Sequence, residues 1–303
     1  MLFWNVNKVN VKLPDDEKKR QAELNRRTGL NLCIDALIKE YDLDIIIFAE
    51  CTDPFALIPE GWSEKPVNSK VCIYYKSELS ELFSEDNFAY KPIDSYFEQL
   101  NKAHYKVDRG SPGGVLFYMQ PFRLLIAAFH LKSRVDTDPI TQYFQAQAVA
   151  EKVRRFKNAY PQSYGVLIGD FNMQPHEPGM THEYCFNART YPPWTSAEEP
   201  KSTETHWYNP FPGIWNDHSN IISNANNKGS HYYNKSLPTD GPWHLLDYAL
   251  FSPEVTRDGL LNMPWLYKSN AEMCGRAELL PRAVPQLSDH LPVLFRLKLP
   301  VWE

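Results

Sequence analysis

Five stretches of this 303-residue chain end or begin an apolar run with a side chain that can bind a cation, hold a water or move a proton. Asn5 and Asn7 follow Leu2-Phe3-Trp4, and Glu50 closes Ile45-Ile46-Ile47-Phe48-Ala49. His130 ends a run from Leu124 to Phe129 and opens His130-Leu131-Lys132-Ser133. Asp170 and Asn172 follow Val166-Leu167-Ile168 as Gly169-Asp170-Phe171-Asn172. Asp289 and His290 stand in Ser288-Asp289-His290-Leu291-Pro292-Val293, ahead of another apolar run. A sixth polar group, Asp247, sits inside Leu245-Leu246-Asp247-Tyr248. Carboxylates with amide oxygens make a hard-oxygen site, which selects Mg²⁺ or Mn²⁺ over zinc. Such an ion neutralises a phosphoryl oxygen and steadies a leaving oxygen. An Asp-x-Asn turn offers an acceptor and an amide for holding an attacking water. A histidine beside a carboxylate is held in one tautomer and made more basic. A second histidine divides the labour, one moving a proton and the other donating to phosphate. The chemistry these residues suit is phosphoester hydrolysis.

Each motif alone has an ordinary reading. Glu50 could be a strand-end surface residue, Gly169–Asn172 a turn, His130 a hydrogen-bonded structural histidine and Asp289-His290 a helix cap. None of these explains why the same residue types recur at strand ends along the chain. Strand ends in a layered α/β protein converge on one edge, where a rigid support can hold a pocket.

The elements that must position these groups are legible from pattern. Leu2–Asn7 reads as a strand. Lys8–Arg27 is a charged run, read as a solvated loop or helix face, with a substrate-contacting arm as the sharper alternative. Leu30, Ile34, Leu37 and Tyr41 recur at helical spacing. Asp44–Ala49 is continuous and β-branched, which marks a strand covered on both faces. Val71–Tyr75 is another strand. Val115–Met119 and Leu124–Phe129 form a hairpin turned at Gln120-Pro121. Pro139–Tyr160 is a helix, with Ile140, Phe144, Ala148 and Phe156 on its apolar stripe. Tyr164–Ile168, Leu245–Phe251 and Val293–Leu297 are strands. Residues 174–243 are rich in Pro, Asn, His, Ser and Trp, and read as a long, turn-rich surface segment. No linker interrupts the mixture, so one α/β domain over residues 1–303 is expected.

Composition narrows the class. Hydrophobic and charged fractions of 43% and 23% are those of an ordinary globular enzyme. No apolar run is long enough to span a membrane, and no signal-peptide pattern opens the chain. Five scattered cysteines (Cys33, Cys51, Cys72, Cys185 and Cys274) argue against a disulfide framework and fit a reducing cytoplasm. His176, His182 and Cys185 lack the spacing of zinc motifs. A net charge of −5 does not suggest a protein that coats nucleic acid, so a nuclease here needs a local basic groove or a small substrate.

The ordered motifs Trp4-Asn5-Val6-Asn7, Phe48-Ala49-Glu50, His130–Ser133, Gly169–Asn172, Leu246-Asp247-Tyr248 and Ser288–Val293 resemble the endonuclease/exonuclease/phosphatase superfamily, the DNase I-like group. The resemblance spans nearly the whole chain and implies a four-layer α/β/β/α sandwich of two packed mixed sheets. It implies Glu50 as the principal ligand of Mg²⁺ or Mn²⁺, helped by Asn7 and Asp289. Asn5, Asp170 and Asn172 would orient the water and the phosphate. His290, paired with Asp247, would be general base or phosphate ligand, and His130 would stabilise the transition state or protonate the leaving oxygen. Many relatives carry Asp at the place of Asn7, so this chain departs from the pattern there. Arg109 and Lys132 are the expected phosphate contacts. Aromatic residues of the 174–243 segment (Trp207, Tyr208, Trp215, Tyr232, Tyr233 and Trp243) could stack on bases or pack the loop onto the core. The expected activity is a nuclease acting on DNA or RNA. The alternatives are a phosphatase or phosphodiesterase for a small molecule or lipid headgroup, and an inactive scaffold.

Overall fold

Alternation along the first strand sets the order of the layers. The structure, a computed structural model, describes residues 1–9, 12–51, 57, 59–65, 67, 71–92, 113–133, 138–192, 206–212, 230–232, 243–266, 287, 288, 290 and 292–300, with backbone alone at 7, 8, 92, 232, 243 and 262–266. Strand β1 (Leu2–Val9) sends Leu2, Trp4 and Val6 into one apolar cluster and Phe3 into another. Successive strand side chains point to opposite faces, so this strand is covered on both. Helix α1 (Glu17–Tyr41) covers the first face with Leu30, Cys33, Ile34 and Leu37. Strand β2 (Ile45–Cys51) divides in the same way. Ile46 and Phe48 join the α1 cluster, while Ile45, Ile47 and Ala49 enter the larger one.

Strands β3 (Trp62–Lys65), β4 (Val71–Lys76) and β5 (Phe88–Pro92) follow. Then β6 (Gly113–Met119) and β7 (Leu124–His130) form the expected hairpin around Gln120–Phe122. Helix α2 (Pro139–Ala159) leads into β8 (Tyr164–Asp170), the short helix α3 (Pro178–Thr181), β9 (Ala188–Arg189) and β10 (Trp207–Tyr208). The chain closes with β11 (His231–Tyr232), β12 (Trp243–His244), β13 (Asp247–Phe251), helix α4 (Pro253–Arg257), β14 (Leu261–Leu266) and β15 (Val293–Leu297). One sheet runs β14-β15-β1-β2-β4-β3 and the other β5-β6-β7-β8-β13-β10-β9. Each contains a parallel pair, β1/β2 and β7/β8, so both are mixed. Phe3, Ile47 and Ile73 of the first sheet share a cluster with Phe117, Ile126, Ile168 and Phe251 of the second. The fold is the expected sandwich of two packed mixed sheets with helices. No helix among the described residues is long and apolar enough to cross a membrane.

The charged run is a solvated helix face from Glu17 onward, one of the two forms expected for it, and two other local readings change. Helix α1 starts inside the charged run, capped by Asp16, whose Oδ1 accepts from Lys19 N at 2.9 Å. Its first turns are mostly charged and carry ion pairs from Arg20 to Glu17 and from Arg26 and Arg27 to Glu23. The apolar stripe assigned to α2 holds only in part: Phe156 packs against the main core and Ala148 is half-buried, but the first two positions face outward. Ile140 and Phe144 are 66% and 49% exposed, whereas Gln142, Gln145, Ala146, Val149 and Val153 are buried. Three of the helix's seven buried residues are polar, and one of them, Gln142, bonds to the backbone of the site. Finally, the 174–243 segment is not only surface: Met180, Cys185, Phe186 and Phe211 lie in the main core.

Candidate active site

Strand register places the chemistry in a row. His130 of β7 lies beside Asp170 of the parallel β8, and Asp170 lies opposite Asp247 of the antiparallel β13. These three residues therefore sit at one level of the second sheet. The first sheet faces them with Asn5 of β1, which pairs with Ala49, the residue before Glu50. At Glu50 the backbone turns left-handed, with φ of 53°, where the β1/β2 register also shifts. That conformation costs a non-glycine residue about 1–3 kcal/mol and ends the regular alternation of β2 at the carboxylate.

The side chains converge. Asn5 Nδ2 donates to Asp170 Oδ2 at 3.0 Å and to Glu50 Oε1 at 3.3 Å. His130 Nε2 lies 3.4 Å from the same Glu50 oxygen and 3.5 Å from the same Asp170 oxygen. His290 Nδ1 is 2.8 Å from Asp247 Oδ2 and 3.8 Å from Asp170 Oδ2. Burial pushes the Asp247 carboxyl up, and the charge of Asp170 adds to this, while His290 and Ser230 oppose it.

Two turns are locked around these groups. In Gly169–Asn172, Asn172 takes a left-handed φ of 51° and its N–H donates to Asp170 Oδ1 at 2.9 Å, closing an Asx turn. Asn172 Nδ2 donates to Leu131 O at 2.8 Å, tying this turn to the residue after His130. Phe171 stacks on Tyr248 with centroids 4.3 Å apart, so the neighbours of Asp170 and Asp247 pack face to face. Tyr248 Oη donates to Met173 O at 3.0 Å. At the other turn, Ser288 Oγ donates to Asn5 O at 2.7 Å and accepts from His290 N at 3.1 Å. Trp4 Nε1 donates to His290 O at 2.9 Å. Arg26 Nη1 of α1 donates to Val6 O and Leu287 O, both at 2.8 Å, clamping β1 to the segment that carries His290.

Of the residues expected from sequence, Asn5, Glu50, His130, Asp170, Asn172, Asp247 and His290 are brought together. Lys132 follows two residues after His130 but is buried, at 3% exposure. Arg109 and Asp289 lie outside the described residues, as does the side chain of Asn7. Trp207 packs its ring toward Gly165 of β8, which favours the packing reading for that aromatic. Tyr208 is half-buried, Trp215 and Tyr233 are outside the described residues, and so are the side chains of Tyr232 and Trp243. Sequence reasoning missed Gln142, whose Nε2 donates to Lys132 O and Asn172 O, both at 3.0 Å, and so staples two motifs from α2. It also missed Ser230 and His231, which adjoin Asp247 and His290. No apolar run leads to Ser230, so pattern gave no signal. A buried glutamine on a helix face was the available hint for Gln142.

The donor set fits a cation. Asp170, Asp247 and His290 offer ligand atoms that all lie within 4.8 Å of one another. Asp247 Oδ1 is buried without a hydrogen-bond partner among the described residues. Glu50 brings a further carboxylate to the same Asn5 amide as Asp170. Closely spaced carboxylates with an orphaned oxygen carry negative charge that a bound divalent ion would offset.

A family model described as the Endonuclease/Exonuclease/phosphatase family matches residues 2–290. Among curated proteins no sequence match is found. Among solved structures, the human Nocturnin catalytic domain with bound sulfate superposes at a TM-score of 0.51 and 14% identity, covering 99% of this chain and 93% of that one. An endonuclease/exonuclease/phosphatase from Bacteroides vulgatus superposes at 0.52 and 15% identity, covering 99% and 98%. ANGEL2, described as a 2',3'-cyclic phosphatase, superposes at 0.51 and 16% identity, covering 98% and 93%.

Proposed function

Because this chain belongs to the endonuclease/exonuclease/phosphatase family, we propose that it is a divalent-metal-dependent phosphoesterase, and within that class a nuclease hydrolysing phosphodiester bonds of DNA or RNA. The observation that carries this reading is the shared pair of oxygens. Glu50 Oε1 and Asp170 Oδ2, from opposite sheets, are both met by Asn5 Nδ2 and His130 Nε2, beside the His290–Asp247 pair.

Glu50, with Asn7 and Asp289, would hold Mg²⁺ or Mn²⁺, and the nearby Asp170 carboxylate adds negative charge on the same side. When bound, the ion offsets charge on the phosphoryl oxygens. His290 does the proton work. With Nδ1 bonded to Asp247 Oδ2, Nε2 is the nitrogen left to accept a proton from the attacking water. Asp170 accepts a hydrogen bond from that water and holds its lone pair toward phosphorus. Asn5 and Asn172 fix Asp170 through its two oxygens, Oδ2 and Oδ1 respectively. His130, on the Glu50 side, donates from Nε2 to the phosphoryl oxygens or to the leaving oxygen. Arg109 and Lys132 are proposed to contact phosphate. The scattered cysteines fit a cytoplasmic enzyme.

A second reading is a hydrolase for a small phosphoester. The net charge of −5 favours it, and ANGEL2 is described as acting on a 2',3'-cyclic phosphate. The test is incubation with Mg²⁺ or Mn²⁺ and plasmid DNA, single-stranded DNA, RNA, an inositol phosphate, a 2',3'-cyclic nucleotide and bis-p-nitrophenyl phosphate. Cleavage of the polynucleotides is expected. His290→Ala should lower kcat about 100- to 10,000-fold, the usual span for a proton-transfer group, and Glu50→Gln should abolish metal-dependent turnover. Activity confined to the small substrates would replace the nuclease with the second reading. Cleavage that survives both substitutions would refute the site.

A further inference from the structure

We infer that Ser230 is a positioning residue for the His290–Asp247 pair, acting as the third member of a Ser230–Asp247–His290 relay. This rests on the reading of His290 as the proton acceptor. Ser230 is fully buried, and its hydroxyl makes three hydrogen bonds. Oγ donates to Asp247 Oδ2 at 2.8 Å, and accepts from Asp247 N at 2.7 Å and Leu246 N at 2.9 Å. A hydroxyl has one proton to give. The two backbone N–H groups occupy its lone pairs, so that proton has one direction left, toward the carboxylate.

The carboxylate needs this contact. Asp247 Oδ2 receives both Ser230 Oγ and His290 Nδ1, whereas Oδ1 has no hydrogen-bond partner among the described residues. Without Ser230, one hydrogen bond to His290 remains to fix the rotation of a buried carboxylate. The next residue grips the other half of the pair. His231 forms a β-bridge with His290, and the two imidazoles lie 4.4 Å apart at 45°. Residues 230 and 231 thus hold the carboxylate through a side chain and the imidazole through backbone and ring. They do so from the turn-rich 174–243 segment, which ties that segment to the orientation of the proton acceptor.

The experiment compares Ser230→Ala and Ser230→Thr with the unsubstituted protein, alone and in the Asp247→Asn background, by steady-state kinetics with bis-p-nitrophenyl phosphate and Mg²⁺ and by thermal melting. Ser230→Ala is expected to lower kcat about 10- to 100-fold, the span seen when an outer partner of an active-site ligand is removed, with KM changed less than about twofold. Ser230→Thr keeps the hydroxyl and should restore most of kcat. In the Asp247→Asn background the alanine substitution should have no further effect, because Ser230 acts through that carboxylate. An unchanged kcat in folded Ser230→Ala would overturn the proposal, as would a loss that multiplies with that of Asp247→Asn. Should the alanine variant fail to fold, Ser230→Cys replaces it with the same expectations. An unsubstituted protein with no phosphoesterase activity would instead overturn the functional reading beneath it.

Discussion

Asn5 joins carboxylates that belong to different sheets, Glu50 on β2 and Asp170 on β8. An amide suits that place. It donates without adding charge, whereas an aspartate there would put a third negative group against two others. The same economy governs Gly169, which reads in sequence as part of a turn but is required by packing. A Cβ built there would collide with Phe129 O, a backbone atom of the adjoining strand β7. Gly169→Ala should therefore destabilise the protein by about 3 kcal/mol through forced strand separation. A urea midpoint lowered at constant m-value would show it, and an unchanged midpoint would contradict the β7/β8 geometry. Because Asp170 follows directly, activity should fall with stability. Glu50, by contrast, was legible as a strand-end carboxylate that joins the other site residues, but its left-handed backbone was not. Nothing in Phe48-Ala49-Glu50-Cys51 marks a residue type that favours positive φ.

Elements show where pattern and structure part. The central strands were legible because continuous apolar runs need two covered faces, as in Ile45–Ala49, whereas the shorter or more polar β3, β5 and β14 carried no such run and were not read. Helix α2 was legible in extent but not in orientation. An apolar count chose Ile140 and Phe144, yet the helix buries Gln142, whose amide satisfies two carbonyls at the site. A buried polar group that satisfies two backbone carbonyls outweighs an apolar one at the surface. The two faces can be told apart. Gln142→Leu should cost about 2 kcal/mol, since it strips partners from the Lys132 and Asn172 carbonyls, and should lower kcat by loosening both turns. Ile140→Lys and Phe144→Lys, although more drastic in hydropathy, should stay within about 0.5 kcal/mol. Thermal melts of the three variants check this, and a large loss from either lysine would restore the stripe read from sequence. Helix α1 hid its start for a related reason. Its first turns bury almost nothing, and ion pairs replace the apolar periodicity that reveals a helix.

At the scale of the molecule, the site exists only when both sheets are packed. Asn5 and Asp170 are 165 positions apart, and Trp4 and His290 are 286 apart. The order of motifs was visible in the chain, but their meeting depends on the sandwich. A cation held by Glu50, Asp170 and their neighbours would bind the packed state and find no such set in the unfolded chain. Linkage then makes the ion a stabiliser. At a free concentration 100 times its Kd it should add about 2.7 kcal/mol. Raising Mg²⁺ or Mn²⁺ should raise Tm progressively, and chelation with EDTA should reverse the rise. Glu50→Gln should flatten the dependence while leaving Tm in EDTA unchanged or higher, because the substitution removes a carboxylate placed close to Asp170 and relieves repulsion once no ion offsets it. A Tm that ignores the ion, or an equal gain in the Glu50→Gln protein, would mean that the cluster at the sheet interface does not hold a cation through Glu50.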